Sequence, residues 1–177
     1  MTQKWKPDGD VGSAGGWSAS TGSDLYAMID DDTPTNSTYI EASDDSMDYS
    51  NRVCTVSLEN KVTPDDGDIK LYYTAKSSDD YGMGGLSIKL ELLGDGSSKA
   101  NLTQSLTTGF VNYTSSDLID HDAISDWTTA QVRITMLAGG GMGETIQLSN
   151  LYLQTASGSS GGSSKIPVTL FINGMST

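Results

Sequence analysis

The one histidine, His121, stands between Asp120 and Asp122, and a base flanked by carboxylates is the raw material of general acid–base catalysis. No nucleophile supports it: the chain has no Gly-x-Ser-x-Gly turn, and its single cysteine, Cys54, has no histidine at a known catalytic spacing. His121 therefore reads as a surface-loop residue and the chain as a non-enzyme, with no catalytic residue assigned. Three acidic runs, Asp30-Asp31-Asp32, Asp44-Asp45 and Asp65-Asp66-Gly67-Asp68, offer the carboxylate oxygens that calcium collects. None completes a calcium-binding Asp-x-Asp-x-Asp-Gly loop that closes on a glutamate, so they read as turn-forming and solubilising acids. Nor does the spacing set two acids opposite one another, as glycoside cleavage requires. The expectation is no metal and no cofactor.

The aromatic residues offer a different chemistry, that of stacking against sugars. Trp5, Trp17, Trp127 and Tyr72 are the candidates. Trp17, after Gly15-Gly16, and Trp127, at the end of a loop, read as plugs at the ends of a domain. Trp5 lies in a charged N-terminal segment with no evident core to enter, so it is expected as an anchor between subunits, where aromatic side chains concentrate binding energy. Cys54 alternates with Val56 and Leu58 and reads as a small core residue. Asn36-Ser37-Thr38, Asn101-Leu102-Thr103 and Asn112-Tyr113-Thr114 match glycosylation sequons, a match expected by chance in a chain so rich in serine and threonine.

These residues must be positioned by strands. In Asp68–Lys76, Ile69, Leu71, Tyr73 and Ala75 share one face while Lys70, Tyr72 and Thr74 share the other. Leu86, Ile88, Leu90 and Leu92 alternate with Ser87, Lys89 and Glu91, and Ala130, Val132, Ile134 and Met136 alternate with Gln131, Arg133 and Thr135. Period-two alternation places one face on a core and the other in water. Leu25–Asp30, Thr38–Glu41, Val53–Leu58, Leu102–Tyr113 and Thr145–Leu153 are further strand candidates. In the last, the apolar set Ile146 and Leu148 changes phase to Leu151 and Leu153 across Ser149–Asn150, the mark of a β-bulge. Asp65-Asp66-Gly67-Asp68 and Gly94-Asp95-Gly96 read as hairpin turns, and Ser116–Trp127 as a loop with short helical turns. Strands at this spacing with no helical layer require a two-sheet sandwich or a barrel, and uneven strand lengths with long loops at both ends favour the sandwich. The fold expected is all-β, a two-sheet antiparallel jelly-roll sandwich over residues 16–155, with residues 1–15 as a separate N-terminal segment.

Composition narrows the partners. The chain has 177 residues, with Lys+Arg 10 against Asp+Glu 23 and a formal net charge of −13. That balance argues against nucleic acid, whose affinity comes from cations neutralising phosphates. No run approaches the ~18–20 apolar residues of a membrane helix. The opening Met1–Asp10 lacks an apolar export core, so synthesis in a cytosol is expected.

Residues 156–177 depart from the pattern. Ala156–Ser164 is a Gly/Ser run, followed by the apolar stretch Lys165–Ile172. Such linkers are flexible coil, spanning roughly 17 Å for this length. The stretch beyond it is expected either to close its own sheet or to act as an arm pairing with a neighbouring chain. In the second case Ile166, Val168, Leu170, Phe171 and Ile172, with Trp5, make the partner contacts.

The order Gly16-Trp17, Leu25-Tyr26-Ala27-Met28-Ile29-Asp30, then Asp32-Thr33-Pro34-Thr35-Asn36-Ser37-Thr38-Tyr39-Ile40 resembles the start of small jelly-roll virion proteins of tailed bacteriophages. Ile124-Ser125-Asp126-Trp127 with Ala130–Met136 resembles their penultimate-strand region, and Thr145–Leu153 their closing strand. The resemblance spans roughly residues 10–155 and excludes the C-terminal stretch. It implies a structural role on a virus particle and no catalysis. The role expected first is a head-decoration (cement) protein, a homo-oligomer with a trimer favoured, that clamps the major capsid protein or other virion proteins. A neck, tail or fibre-base protein is the first alternative, and a carbohydrate-binding jelly-roll module acting at the host surface the second.

Overall fold

The computed structural model describes residues 2–43, 52–59, 63–64, 69–78, 86–116, 121–137 and 143–155. In β6 (Ile69–Ser77), Ile69, Leu71, Tyr73 and Ala75 are buried while Lys70, Tyr72 and Lys76 are half-exposed. The same alternation governs β5 (Arg52–Leu58), β7 (Ser87–Gly94) and β10 (Gln131–Leu137). A strand with one apolar face gains about 1.5–3 kcal/mol for each Leu, Ile or Val it removes from water, and two such sheets satisfy one another face to face.

The remaining strands are β1 (Lys4–Trp5), β2 (Pro7–Asp10), β3 (Trp17–Ala19), β4 (Ile40–Ser43), β8 (Ser97–Ser105), β9 (Val111–Thr114) and β11 (Thr145–Thr155). One sheet runs β3-β4-β11-β6-β9, with β1 also pairing β11; the other runs β2-β5-β10-β7-β8. Every pairing among the described strands is antiparallel. The protein is an all-β, two-sheet antiparallel jelly-roll sandwich. Among the described residues no helix is long and apolar enough to cross a membrane.

The bulge falls where the phase change places it. The β11–β6 register shifts between Leu148 and Asn150, and Ile146, Leu148, Leu151 and Leu153 are all fully buried. The β7–β8 hairpin turns on Asp95 and Gly96, at φ 49° and 74°, the positive pair that a two-residue Asp-Gly turn requires.

The structure corrects several expectations. Leu25–Asp30 is not a strand: Tyr26–Met28 is a 3₁₀ turn. Its buried flanking residues, Leu25 and Ile29, are four apart, a helical spacing. The Asp10 carboxylate accepts the Leu25 and Tyr26 N–H groups at 2.8 and 2.9 Å, and the Ile29 carbonyl accepts the Leu151 N–H. Leu102–Tyr113 is two strands in different sheets, β8 and β9, because Leu106 and Thr107 turn the chain over the sandwich edge. There the Leu106 N–H donates to the Leu86 carbonyl, beside β7, and the Thr107 carbonyl accepts the Ser77 N–H of β6. The strand expected at Thr38–Glu41 lies two residues later, at Ile40–Ser43. Residues 1–15 are not separate from the sandwich either, since β1 joins one sheet and β2 the other.

Trp5 is a further correction. It is 1% exposed and packs on Trp127 with ring centroids 5.6 Å apart, so it anchors the N-terminus inside its own chain and not between subunits. The other expected partner contacts, Ile166, Val168, Leu170, Phe171 and Ile172, lie outside the described residues, as does the Gly/Ser run.

Candidate functional site

Of the four aromatic candidates, three are interior. Trp5 and Trp127 pack on one another, and Trp17 is 4% exposed with its indole N–H donating to the Arg52 carbonyl at 3.1 Å. Tyr72 alone reaches the surface, on the outer face of the six-stranded sheet. Register decides what surrounds it. Tyr72 on β6 is directly opposite Tyr152 on β11 and Thr114 on β9, and one row along, Thr74 is opposite Asn150 and Asn112.

The Tyr72 and Tyr152 rings stack at 4.9 Å with 8° between their planes. Strands in a sheet are about 4.8 Å apart, so the rings stand upright on adjacent strands, face against face. Lys4 on β1, on the far side of β11, places its ammonium 3.8 Å from the Tyr152 ring centroid. Both faces of Tyr152 are therefore covered, one by Lys4 and one by Tyr72. The second face of Tyr72 turns toward β9 and lines an open groove of about 230 Å³.

The groove is floored and flanked by Thr74, Asn112, Thr114 and Asn150, with Asp32 and Pro34 along one bank. The Thr74 hydroxyl donates to the Asn112 side-chain oxygen at 2.7 Å, which leaves the Asn112 amide N–H groups for a ligand. Asn150 is buried and donates its side-chain amide to the Asp31 carbonyl, pinning the acidic bank to the sheet. Asp32 accepts from Lys4 and Lys6, each at 2.9 Å. Those two hydrogen-bonded ammonium groups hold its carboxyl down at about 2, and the Asp32 carboxylate in turn pushes the Lys6 ammonium up. Asp30, half-buried beside Asp31, is shifted upward, first by loss of solvent and then by that like charge. Burial also raises the Tyr152 hydroxyl, with Tyr72 adding to the effect.

On the far side of β9 a second cleft, of about 290 Å³, opens between the two sheets. Its walls are Asn101, Leu102, Thr103 and Gln104 of β8 and Thr114, Ser115 and Ser116 at the end of β9, with Tyr73 between them. Tyr73 stacks on Tyr113 at 5.2 Å. The buried Tyr113 hydroxyl has no hydrogen-bond partner among the described residues.

Most of the catalytic and metal candidates fall outside the described residues. His121 begins a 3₁₀ turn, His121–Ala123, while Asp120, Asp44, Asp45 and the Asp65–Asp68 turn lie outside the described residues. Among the described residues no group of three or more His, Cys, Asp or Glu side chains is placed to hold a metal ion. Cys54 is buried, and burial raises its thiol. Sequence reasoning misses Tyr152, Asn112 and Lys4. The available signal is that Tyr152 lies between Leu151 and Leu153, on the polar face of an alternating strand.

The fold and groove define a jelly-roll sandwich with an aromatic slot on one sheet. No family model and no curated protein sequence matches the chain. Among solved structures it is similar to an arabinose-bound α-L-arabinofuranosidase, at 16% identity and a TM-score of 0.51, over 84% of this chain and 22% of that one. The chain thus spans about a fifth of that enzyme's length, and the likeness is one of fold. It is also similar to TmCBM61 in complex with β-1,4-galactotriose, at 14% identity and a TM-score of 0.39, over 69% of this chain and 73% of that one. A third similar structure is the N-terminal cellulose-binding domain of a Cellulomonas fimi β-1,4-glucanase, at 17% identity and a TM-score of 0.43, over 81% and 90%.

Proposed function

We propose that the protein is a carbohydrate-binding sandwich module whose site is the groove beside Tyr72. The observation that carries this reading is the uncovered face of an upright tyrosine, set next to the free amide of Asn112 and the hydroxyl of Thr114. A pyranose ring is amphipathic in the same sense. Its C–H face packs on an aromatic ring, while its rim of hydroxyls needs amides, hydroxyls and carboxylates as partners. Strands position all three side chains, so the site is organised before a ligand arrives. The activity proposed is binding, not turnover.

The test is a glycan array probed with the wild-type chain and Tyr72→Ala. Binding by the wild type that drops at least tenfold in the variant, with melting unchanged, supports the reading. Glycan binding that survives Tyr72→Ala would sink this site, and no binding to any glycan would sink the function.

The setting we propose is a phage particle, on the resemblance of residues Gly16–Ile40 and Ile124–Met136 to virion jelly rolls. There the module would meet host-surface glycans as a neck, tail or fibre-base component, and many copies would compound a weak affinity per site. Head decoration, with the major capsid protein as partner, is supported by the resemblance alone. Locating the protein on particles by electron microscopy separates the two places: labelling of the head and not the tail would overturn the neck, tail or fibre-base setting.

A further inference from the structure

We infer that the cleft between β8 and β9 is a second sugar subsite, continuous with the first around β9, so that the ligand is a neutral, branched glycan. This rests on the reading of the Tyr72 groove as a glycan site and extends it to the kind of chain it takes.

Three observations carry it. First, the two depressions are separated by β9 alone and share Tyr73 and Thr114, so neighbouring sugars can occupy both. Second, none of the described residues lining the cleft is charged, on a molecule whose net charge is −13. They present instead the Gln104 amide and the hydroxyls of Ser115 and Ser116, beside the edge of β8. Gln104 uses its side-chain N–H on the Ser105 carbonyl at 2.8 Å, which leaves its side-chain oxygen to accept. Such a set suits a neutral polyol and gives an anion or a cation no counter-charge. Third, the walls are held by the sheets. Leu102 and Gln104 are fixed opposite the core residues Leu90 and Ile88, and the Ser115 hydroxyl accepts the Leu71 N–H at 2.9 Å.

Size and shape then select the class. Each depression is smaller than the ~300–1,000 Å³ pockets that enclose drug-sized ligands, so each suits roughly one ring. The first lies on the outer face of a sheet and the second opens between the sheets. A stiff linear chain lying across the face passes over β9 without entering the cleft, whereas a side branch on that chain turns down into it.

Affinity electrophoresis through gels containing hydroxyethylcellulose, linear β-1,4-galactan, xyloglucan, arabinoxylan or galactomannan tests this with the whole chain. At least one branched polysaccharide should retard the wild type about tenfold more strongly than the linear ones. The Gln104→Ala/Ser116→Ala pair should erase that preference, and Tyr72→Ala should erase retardation altogether, each with wild-type melting. If the linear chains retard as strongly as the branched ones, or the pair of substitutions changes nothing while Tyr72→Ala abolishes binding, the second subsite is wrong and the first stands. If no polysaccharide retards the wild type, both fall. Should the double substitution lower the melting temperature, each single substitution is compared in its place, and unchanged retardation in both overturns the subsite.

Discussion

The ammonium of Lys4 and the carboxylate of Asp32 meet at 2.9 Å, and the same ammonium lies 3.8 Å over the ring of Tyr152. Asp32 is thus the clip that keeps a cation on the covered face of the tyrosine pair. Lys6 reinforces the clip from the same side. Because the carboxyl is held at about 2, its usual value being 3.8, the pairing is intact above ordinary carboxylate pH and is lost as pH falls through about 2. The Asp32 carboxyl should titrate near 2 by NMR in the wild type. In Lys4→Met/Lys6→Met it should return toward 3.8, and a value unchanged by the double substitution would show that the lysines are not the cause.

Trp5 should be worth more to stability than a residue so near the terminus usually is. Trp5→Ala removes a fully buried indole packed on Trp127 and should cost about 3–5 kcal/mol, read as a lower urea midpoint. Trp5→Phe should cost less. It keeps a ring against Trp127 and removes an indole N–H that has no partner among the described residues. An alanine variant within ~0.5 kcal/mol of the wild type would mean that β1 is not docked.

Asp95 joins two distant loops. Its two oxygens accept the Ser125 and Asp126 N–H groups at 3.0 Å, and Lys99 adds an ion pair at 3.2 Å. The Ser125 N–H is the largest cause holding its carboxyl down at about 2. With the folded value depressed, its contribution is complete above pH ~4 and disappears as pH falls toward 2. Asp95→Asn should therefore melt lower than the wild type at about pH 7 and converge with it near pH 2. Parallel curves across that range would contradict the assignment.

Two glycines should respond oppositely to alanine. At Gly94 an added Cβ meets three carbons of Ile124 at 2.7–2.9 Å, so Gly94→Ala should cost about 1–3 kcal/mol. At Gly109 the same atom meets nothing within 4 Å and the backbone is not left-handed, so Gly109→Ala should be neutral or raise stability by about 0.4–1 kcal/mol. Thermal melting separates the two, and equal shifts would argue against the Gly94–Ile124 packing.

What is legible in the sequence is whatever a single strand states about itself. The inward sets of β6, β7 and β10 and the bulge of β11 follow from alternation within one segment. Tyr72 is legible as an outward aromatic for the same reason. Its neighbours are not, because Tyr152, Asn112 and Lys4 reach it through register, and register is a relation between strands that no one of them encodes. Trp5 misleads because its strand has two residues and its partner, Leu153, stands at the other end of the sandwich sequence. Leu25–Asp30 misleads because so short a run holds too few apolar positions to separate a period of two from one of four. The motifs that resemble virion proteins serve packing. Leu25 and Ile29 fill the core beside β11, so they speak to the fold more than to what is bound.

The pairing of β1 with the end of β11 also fixes an order of events. Gln3 and Thr155 bond one another across a separation of 152 residues, so Gln3 leaves a ribosome with no place to dock until nearly the whole sandwich has followed it. Lys4 waits with it. The cation that backs Tyr152, on the side away from the groove, is set only when β11 arrives. A substitution that weakens the Gln3–Thr155 contact would act on that closing step.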